Sequence, residues 1–283
     1  MNTNENRDHI NFISHGSGPP AILIHGIGAS LHQWDSLIPA LVAGGFSAHA
    51  LDLQGHGDSA KPKEIHKYHI ETYYTQLEKW LDDLELSGPL LLVGHSMGAY
   101  LSLLYTLHHP DKVHALVLAD PFYNPKQLSP LLRLAMRRPN PGVKILDALP
   151  AQTFEIILGW TEKTNRSVPA SIRRRLSADF KRATPRILYT TRTTRDLTTL
   201  VPRIEIPTLV MWGAKDLTLA PASFPRLVET LPQAIGYTFH QCGHIPHLTQ
   251  ASNFNRRVID FAAGVSKSGS GKPTLLPPDG RAL

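Results

Sequence analysis

The stretch that most constrains this chain is Leu90 to His109. Leu90-Leu91-Leu92-Val93 is apolar throughout, Gly94-His95-Ser96-Met97-Gly98 follows without a spacer, and Ala99 to His109 reads as a helix. A strand that hands over to a helix within five residues needs a sharp turn. Glycines two positions either side of the central serine remove the side chains that would collide in it. Such a turn holds Ser96 in a strained backbone conformation, on the order of 1–3 kcal/mol, with its hydroxyl exposed. The five letters alone are a weak signal, since a glycine-rich loop with an incidental serine spells the same pattern. The strand before and the helix after make the reading specific.

The same alternation runs along the chain. Short strands are expected at Ile10 to Ser14, Ala21 to Ile24, Phe46 to Leu51, Leu90 to Val93 and Val113 to Ala119. Between them Trp34, Leu37, Ile38, Leu41 and Val42, then Tyr73, Leu77, Trp80, Leu81 and Leu84, recur at helical spacing, with Gly44-Gly45 stopping the first helix. Strands that are apolar on both faces and flanked by helices imply a parallel sheet covered on both sides. From Phe122 to Pro202 the alternation stops. That stretch is rich in Leu, Arg and Pro, and Pro139, Pro141, Pro150, Pro169 and Pro185 cut it into short helices. Alternation resumes with a strand at Thr208 to Trp212, a helix near Ala222 to Thr230, a strand around Ile235 to Phe239 and a last helix near Leu248 to Ala262. The expected division is a core of residues 1–120 and 204–264, an inserted helical segment 121–203, and a disordered tail 265–283 of linker composition.

Composition narrows the class. The chain has 283 residues, 42% hydrophobic and 18% charged, as in a globular protein. No apolar run approaches the ~20 residues of a membrane span. Met1 to Asp8 is polar, so no secretory signal is visible. Cys242 is the single cysteine, which forbids an intrachain disulfide and fits a reducing cytoplasm; a cytoplasmic location is the expectation. The net charge of +6 is concentrated in residues 121–203, which carry 16 Lys/Arg against 5 Asp/Glu. A solvated arginine-rich surface accounts for this, and no nucleic-acid-binding motif accompanies it. Nothing in the sequence indicates an oligomeric state.

A serine hydroxyl needs a base beside it to act as a nucleophile. In a parallel sheet the place to look is the set of loops leaving the carboxyl ends of the strands. Asp216 lies in such a loop, Gly213-Ala214-Lys215-Asp216, and His244 in the loop after the last strand, Cys242-Gly243-His244-Ile245-Pro246. The chain order serine, acid, histidine is the one expected with this turn type. His244 is the candidate base and Asp216 the candidate orienting acid. Asp120, which ends the strand before the insertion, is the competing acid, and Asp216 is preferred. For the oxyanion of a tetrahedral intermediate, the backbone N–H of Met97 at a helix start is one candidate donor; Ile27, in His25-Gly26-Ile27-Gly28, is the other.

These motifs, with Asp52-Leu53-Gln54-Gly55-His56-Gly57-Asp58-Ser59, resemble the α/β-hydrolase fold family, in its branch of serine esterases, lipases and haloperoxidase-like proteins. The resemblance covers about residues 10 to 263 and is weakest over Phe122 to Pro202. It implies a mostly parallel sheet with helices on both faces and a helical cap, inserted after the sixth core strand, that helps form the substrate pocket. It assigns the Asp52 to Ser59 loop a structural place beside the site. Dehalogenases and epoxide hydrolases of the family carry an aspartate nucleophile, and serine at position 96 argues against both.

The expected activity is hydrolysis of a carboxylic ester of a small molecule, without cofactor. The same three residues would serve carbon–carbon, lactone or amide hydrolysis or acyl transfer. A ligand receptor on the same scaffold is the reading from another class. His240, His244 and His247 raise a metal site, set aside because no nearby carboxylates complete a ligand set. Ser266 to Thr274 lacks the first glycine of a phosphate loop. His66 and His69 are expected at a surface or helix start, and Cys242 in packing. Trp34, Trp212 and Met97 belong to the core or line a pocket.

Overall fold

The computed structural model describes residues 9–129, 133 and 168–268. Seven strands form one sheet: β1 (Phe12–His15), β2 (Pro20–Ile24), β3 (Ser47–Leu51), β4 (Leu90–His95), β5 (Val113–Ala119), β6 (Thr208–Gly213) and β7 (Ala234–Phe239), in the order β1-β3-β2-β4-β5-β6-β7. Only β1 runs antiparallel, at the edge against β3; every other pairing is parallel.

From β2 to β6 the strands are buried almost throughout because both faces are covered, whereas the edge strand β1 is largely exposed, and a two-residue period sorts the side chains. Ile22, Ile24, Leu92, Leu116, Leu118 and Val210 point to one face. There they meet α2 (Ile70–Asp83), α3 (Met97–His108) and α5 (Ser223–Thr230). Ala21, Leu23, Leu91, Val93, Val117 and Leu209 point to the other, against α1 (Leu37–Ala43) and α7 (Ala251–Ser268). Helix α2 shows the helical rule: Ile70, Tyr73, Leu77, Trp80 and Leu81 are its buried stripe. Helix α3 is apolar nearly all round because its own surroundings bury it.

The segment after β5 is described in part. It carries α4 (Ala170–Arg182) and a 3-10 turn, Pro185–Arg192. Thr184 N donates to Gly55 O at 2.8 Å, tying the segment to the sheet unit, and within the segment Leu197 N donates to Tyr123 O at 2.9 Å. An isolated antiparallel bridge, Leu128 to Leu219, is the one piece of sheet pairing here among the described residues. The expected count of six strands before the insertion becomes five among the described residues, since β1 alone precedes β2. The last helix also outruns its expected end. A short α6 (Pro246–Thr249) is followed by α7, which runs past Gly264 to Ser268, so residues 265–268 are helix rather than tail. The rest of the expected tail, residues 130–132 and 134–167 of the expected helical segment, and residues 1–8 of the expected core lie outside the described residues. No described helix is long and apolar enough to cross a membrane.

Register aligns the strand ends. Ile24 pairs with Gly94, His95 with Ala119, and Ala119 with Met211. The loops that begin at residues 25, 96, 120, 214 and 240 therefore leave the sheet on one side, within a few residues of the same level.

Candidate active site

Ser96 stands where β4 becomes α3, at φ 51° and ψ −111°, a positive φ that a residue with a side chain rarely takes. Two close approaches explain the glycines. A Cβ on Gly98 would lie 2.1 Å from Ile24 O, and one on Gly94 would lie 2.6 Å from Ala99 N. The strain is held by bonds across the sheet edge: Ser96 N donates to Ala119 O at 3.0 Å, and Phe122 N donates to Ser96 O at 3.2 Å. The residue is 7% exposed and lines an apolar cavity with Ile27, Met97, Phe122, Leu128 and Leu219. Thr190, Thr191 and Thr194 close that cavity from the inserted segment.

His244 and Asp216 come together across two loops. His244 Nδ1 lies 2.7 Å from Asp216 Oδ2, with the carboxylate side chain wholly buried. The other carboxylate oxygen accepts from Thr218 N at 2.7 Å and Leu219 N at 2.9 Å, so both oxygens are engaged and the acid is fixed. The two loops are themselves laced together: Lys215 N donates to Cys242 O at 2.9 Å, and Ala214 N donates to Phe239 O at 3.0 Å. His244 lines a second cavity, adjoining the first at Ile27 and Thr218, with Arg173 and Phe180 of α4 on its wall.

Asp120 sits close by, at φ 41°, and its Oδ1 accepts from Gly213 N at 2.9 Å. One ligating atom each from Asp120, Asp216 and His244 fall within 4.8 Å of one another. The ground on which a metal was set aside, that no nearby carboxylates complete a ligand set, is therefore corrected: beside the expected Asp216, folding also brings Asp120 to His244, from loops 28 and 124 residues away in the chain. The contact between His244 and Asp216 is nevertheless a hydrogen bond. Two ligands of a tetrahedral zinc ion stand roughly 3.4 Å apart, well beyond 2.7 Å. His247 does not join the group; it is buried among Trp34, His95 and Phe254.

The loop after β2 packs against the serine. A Cβ on Gly26 would lie 3.3 Å from Ser96 Cβ. The N–H groups of Ile27 and Met97 have no hydrogen-bond partner among the described residues. His25 holds this loop. Leu53 N donates to its Nε2 at 3.0 Å, which makes Nδ1 the protonated nitrogen, and Nδ1 donates to Gly26 O at 2.7 Å. Burial pushes the His25 imidazole below its usual pKa, against the opposing pull of Asp52. Asp52 is the hub of its loop. It accepts from Leu31 N at 2.8 Å, Asp58 N at 2.9 Å and Asn11 Nδ2 at 2.8 Å.

The remaining candidates fall outside the cavity walls. His66 and His69 are exposed. Cys242 is buried, with Thr249 Oγ1 donating to its sulfur at 3.4 Å. Trp34 and Trp212 are core. Sequence reasoning gave no role to Gln33 and His95, which are both buried and hydrogen-bonded to each other beside the serine. The available signal was a glutamine between Leu31 and Trp34, both core residues.

Comparison with known proteins agrees with this architecture. A family model described as the alpha/beta hydrolase fold matches residues 19–251. Bifunctional epoxide hydrolase 2 of Sus scrofa is 36% identical over 114 residues, 40% of this chain and 20% of that protein. The chain thus matches about a fifth of that relative's length. Pimeloyl-[acyl-carrier protein] methyl ester esterase of Vibrio atlanticus (strain LGP32) is 28% identical over 260 residues, 87% of this chain and 95% of that one. The solved structure of a thermophilic esterase from Thermogutta terrifontis has a TM-score of 0.78 at 23% identity, covering 90% of this chain and 93% of the other. With its sheet order, its strained serine at the end of β4 and a family match over most of its length, the chain belongs to the alpha/beta hydrolase fold family.

Proposed function

We propose that this hydrolase cleaves carboxylic esters of small molecules, without a cofactor, through an acyl-enzyme formed on Ser96. Ser96 Oγ attacks the carbonyl carbon while His244 takes the hydroxyl proton. The imidazolium returns that proton to the leaving alkoxide. A water deprotonated by the same imidazole then releases the acid. Asp216, at 2.7 Å from Nδ1, keeps the proton on that nitrogen, so that Nε2 is left to serve the serine, and steadies the imidazolium. The N–H groups of Ile27 and Met97 receive the oxyanion, and that of Met97 gains from the positive end of α3.

In this reading residues 121–203 form a helical cap over a core of residues 1–120 and 204–264. The threonines of the cap and Phe122 give the cavity over Ser96 its apolar, narrow character. The single observation that carries the proposal is the ion-pair-like contact of His244 and Asp216, on loops that leave the same edge of the sheet as a serine held at φ 51°. The methyl ester esterase that aligns nearly end to end supports an ester as the bond cleaved. The lone buried thiol of Cys242 favours a cytoplasmic setting.

The test is hydrolysis of p-nitrophenyl butyrate by the wild type and Ser96→Ala, with fluorophosphonate labelling of the same proteins. Turnover and labelling should both vanish in the variant. Equal turnover in the two proteins removes Ser96 from the mechanism. A panel of amides, lactones and vinylogous diketones, run with and without an acyl acceptor, ranks the bond types.

A further inference from the structure

We propose that Gln33 is a positioning residue that locks the oxyanion loop, the serine turn and the His244 loop into one unit through the ring of His95. The proposal rests on the reading of Ser96, His244 and Ile27 given above. Three hydrogen bonds run in series. Gly26 N donates to Gln33 Oε1 at 3.2 Å, Gln33 Nε2 donates to His95 Nδ1 at 3.1 Å, and His95 Nε2 donates to the carbonyl of His244 at 2.8 Å.

The two ends fix every direction between them. A peptide N–H only donates and a carbonyl only accepts. The Gln33 amide therefore has one orientation and His95 one tautomer, with its proton on Nε2. Flipping the amide sets two donors or two acceptors face to face. Gln33 and His95 are each 4% exposed and border the cavity that His244 lines, so water reaches a broken link through that cavity.

The chain of bonds joins the parts that must move least. Gly26 precedes Ile27, His95 precedes Ser96, and the far end is His244 itself. Gln33 is held rigidly in turn. It lies in the 3-10 turn Leu31–Trp34, between two core side chains, and Leu31 N is anchored on Asp52 at 2.8 Å. Gly26 lies so close over the His95 ring that a Cβ there would come within 2.6 Å of Nδ1.

The arrangement also keeps His95 uncharged. Its ring stands 4.8 Å from that of His244 and 4.4 Å from that of His247, centroid to centroid. Burial, followed by the neighbouring His247 and His244 and more weakly by His25, pushes its imidazole well below the ordinary value, with the bond to the His244 carbonyl acting against this. A neutral ring there does not oppose the imidazolium that His244 becomes during the reaction; a charged one would.

The experiment compares Gln33→Leu and Gln33→Glu with the wild type and Ser96→Ala, using p-nitrophenyl butyrate and active-site titration by fluorophosphonate. Gln33→Leu removes both amide bonds. Its kcat per titrated site should fall about tenfold or more, with KM within about threefold. Gln33→Glu keeps an acceptor for Gly26 but cannot, as a carboxylate, donate to His95. The link to His95 is then lost and a new charge stands beside the ring that abuts His244, so the acid limb of kcat/KM should move by about half a unit or more. Wild-type kcat per titrated site in both variants, with the acid limb unmoved, overturns the proposal even if either variant melts earlier. If Gln33→Leu fails to fold, the pH profile of Gln33→Glu decides alone. Residual full activity in Ser96→Ala refutes the triad reading instead, so the two failures are distinct.

Discussion

Lowering the pH from 7 to 5 should remove about 4 kcal/mol of folding stability through two histidines alone. His56 and His247 are 0% and 2% exposed, and burial pushes both imidazoles down to about 3. A second contribution comes from a neighbouring histidine in each case, His25 for His56 and His244 for His247. In the unfolded chain each ring regains a value near ~6.5. The folded value is depressed, so below about 6.5 the unfolded chain binds protons that the folded chain refuses. The stabilisation is thus complete above ~7 and is lost as the pH falls, down to about 3. For one such group the change between pH 7 and 5 is about 2 kcal/mol, and for two about 4 kcal/mol.

His25 and His95 are lowered too, chiefly by burial, and act in the same direction. The Asp52 carboxylate, which burial raises but His25 and its backbone donors pull below the usual range, matters only at more acid pH. A loss of this size is a large share of the 5–15 kcal/mol typical of a folded domain. Urea unfolding at pH 7, 6 and 5 and constant ionic strength measures it. His247→Phe should cut the pH dependence by about 2 kcal/mol, whatever it does to stability at pH 7. A wild-type difference below about 1 kcal/mol between pH 7 and 5 would refute the reasoning.

Two further outcomes follow from side chains already placed. Asp216→Asn should lower kcat for p-nitrophenyl butyrate by about 10³–10⁴, as loss of the orienting acid does in such triads. Asp120→Asn should cost less than about tenfold, and the double variant no more than Asp216→Asn alone; an equal loss from Asp120→Asn would overturn the assignment of the acid. Glu85 is exposed at the end of α2 with φ 46° and no part in the site. Glu85→Gly should raise stability by about 0.5–1 kcal/mol, read as a higher urea midpoint with unchanged slope.

Sheet and helices were legible because each strand is a short apolar run between helical periods, and burial on both faces demands that pattern. Strand boundaries moved by no more than two residues, outward where a ladder continued past the apolar run. β4 extends through Gly94 and His95 because Ala119 remains within pairing distance. Ser96, Asp216 and His244 were legible because strand ends are marked by the composition change that follows them, and sheet geometry says those ends converge. The polar groups that lie beneath them were not. Gln33 and His95 meet across 62 residues, and neither periodicity nor motif spacing encodes that a glutamine amide will satisfy a histidine ring. That Asp120 joins Asp216 near His244, rather than replacing it, was not legible for the same reason, since Asp120 reaches the neighbourhood through pairing of β5 with β6.

The strain at Ser96 and that at Asp120 are two parts of one device. Both residues have positive φ, and they follow adjacent strands at adjacent levels. Ser96 N bonds Ala119 O, Phe122 N bonds Ser96 O, and Asp120 N bonds Met211 O at 2.8 Å, so the ladder carries on past the point where each strand bends away. Neither bend can relax without breaking a bond that registers its neighbour. The Asp120 carboxylate then takes the next rung itself, accepting from Gly213 N at the root of the loop that bears Asp216. Its work is therefore to set where the Asp216 loop departs from β6. An amide oxygen at position 120 can still accept from Gly213, whereas an amide at 216 offers His244 Nδ1 a donor where an acceptor is required. That difference in hydrogen-bonding capacity is why the two substitutions should differ by orders of magnitude.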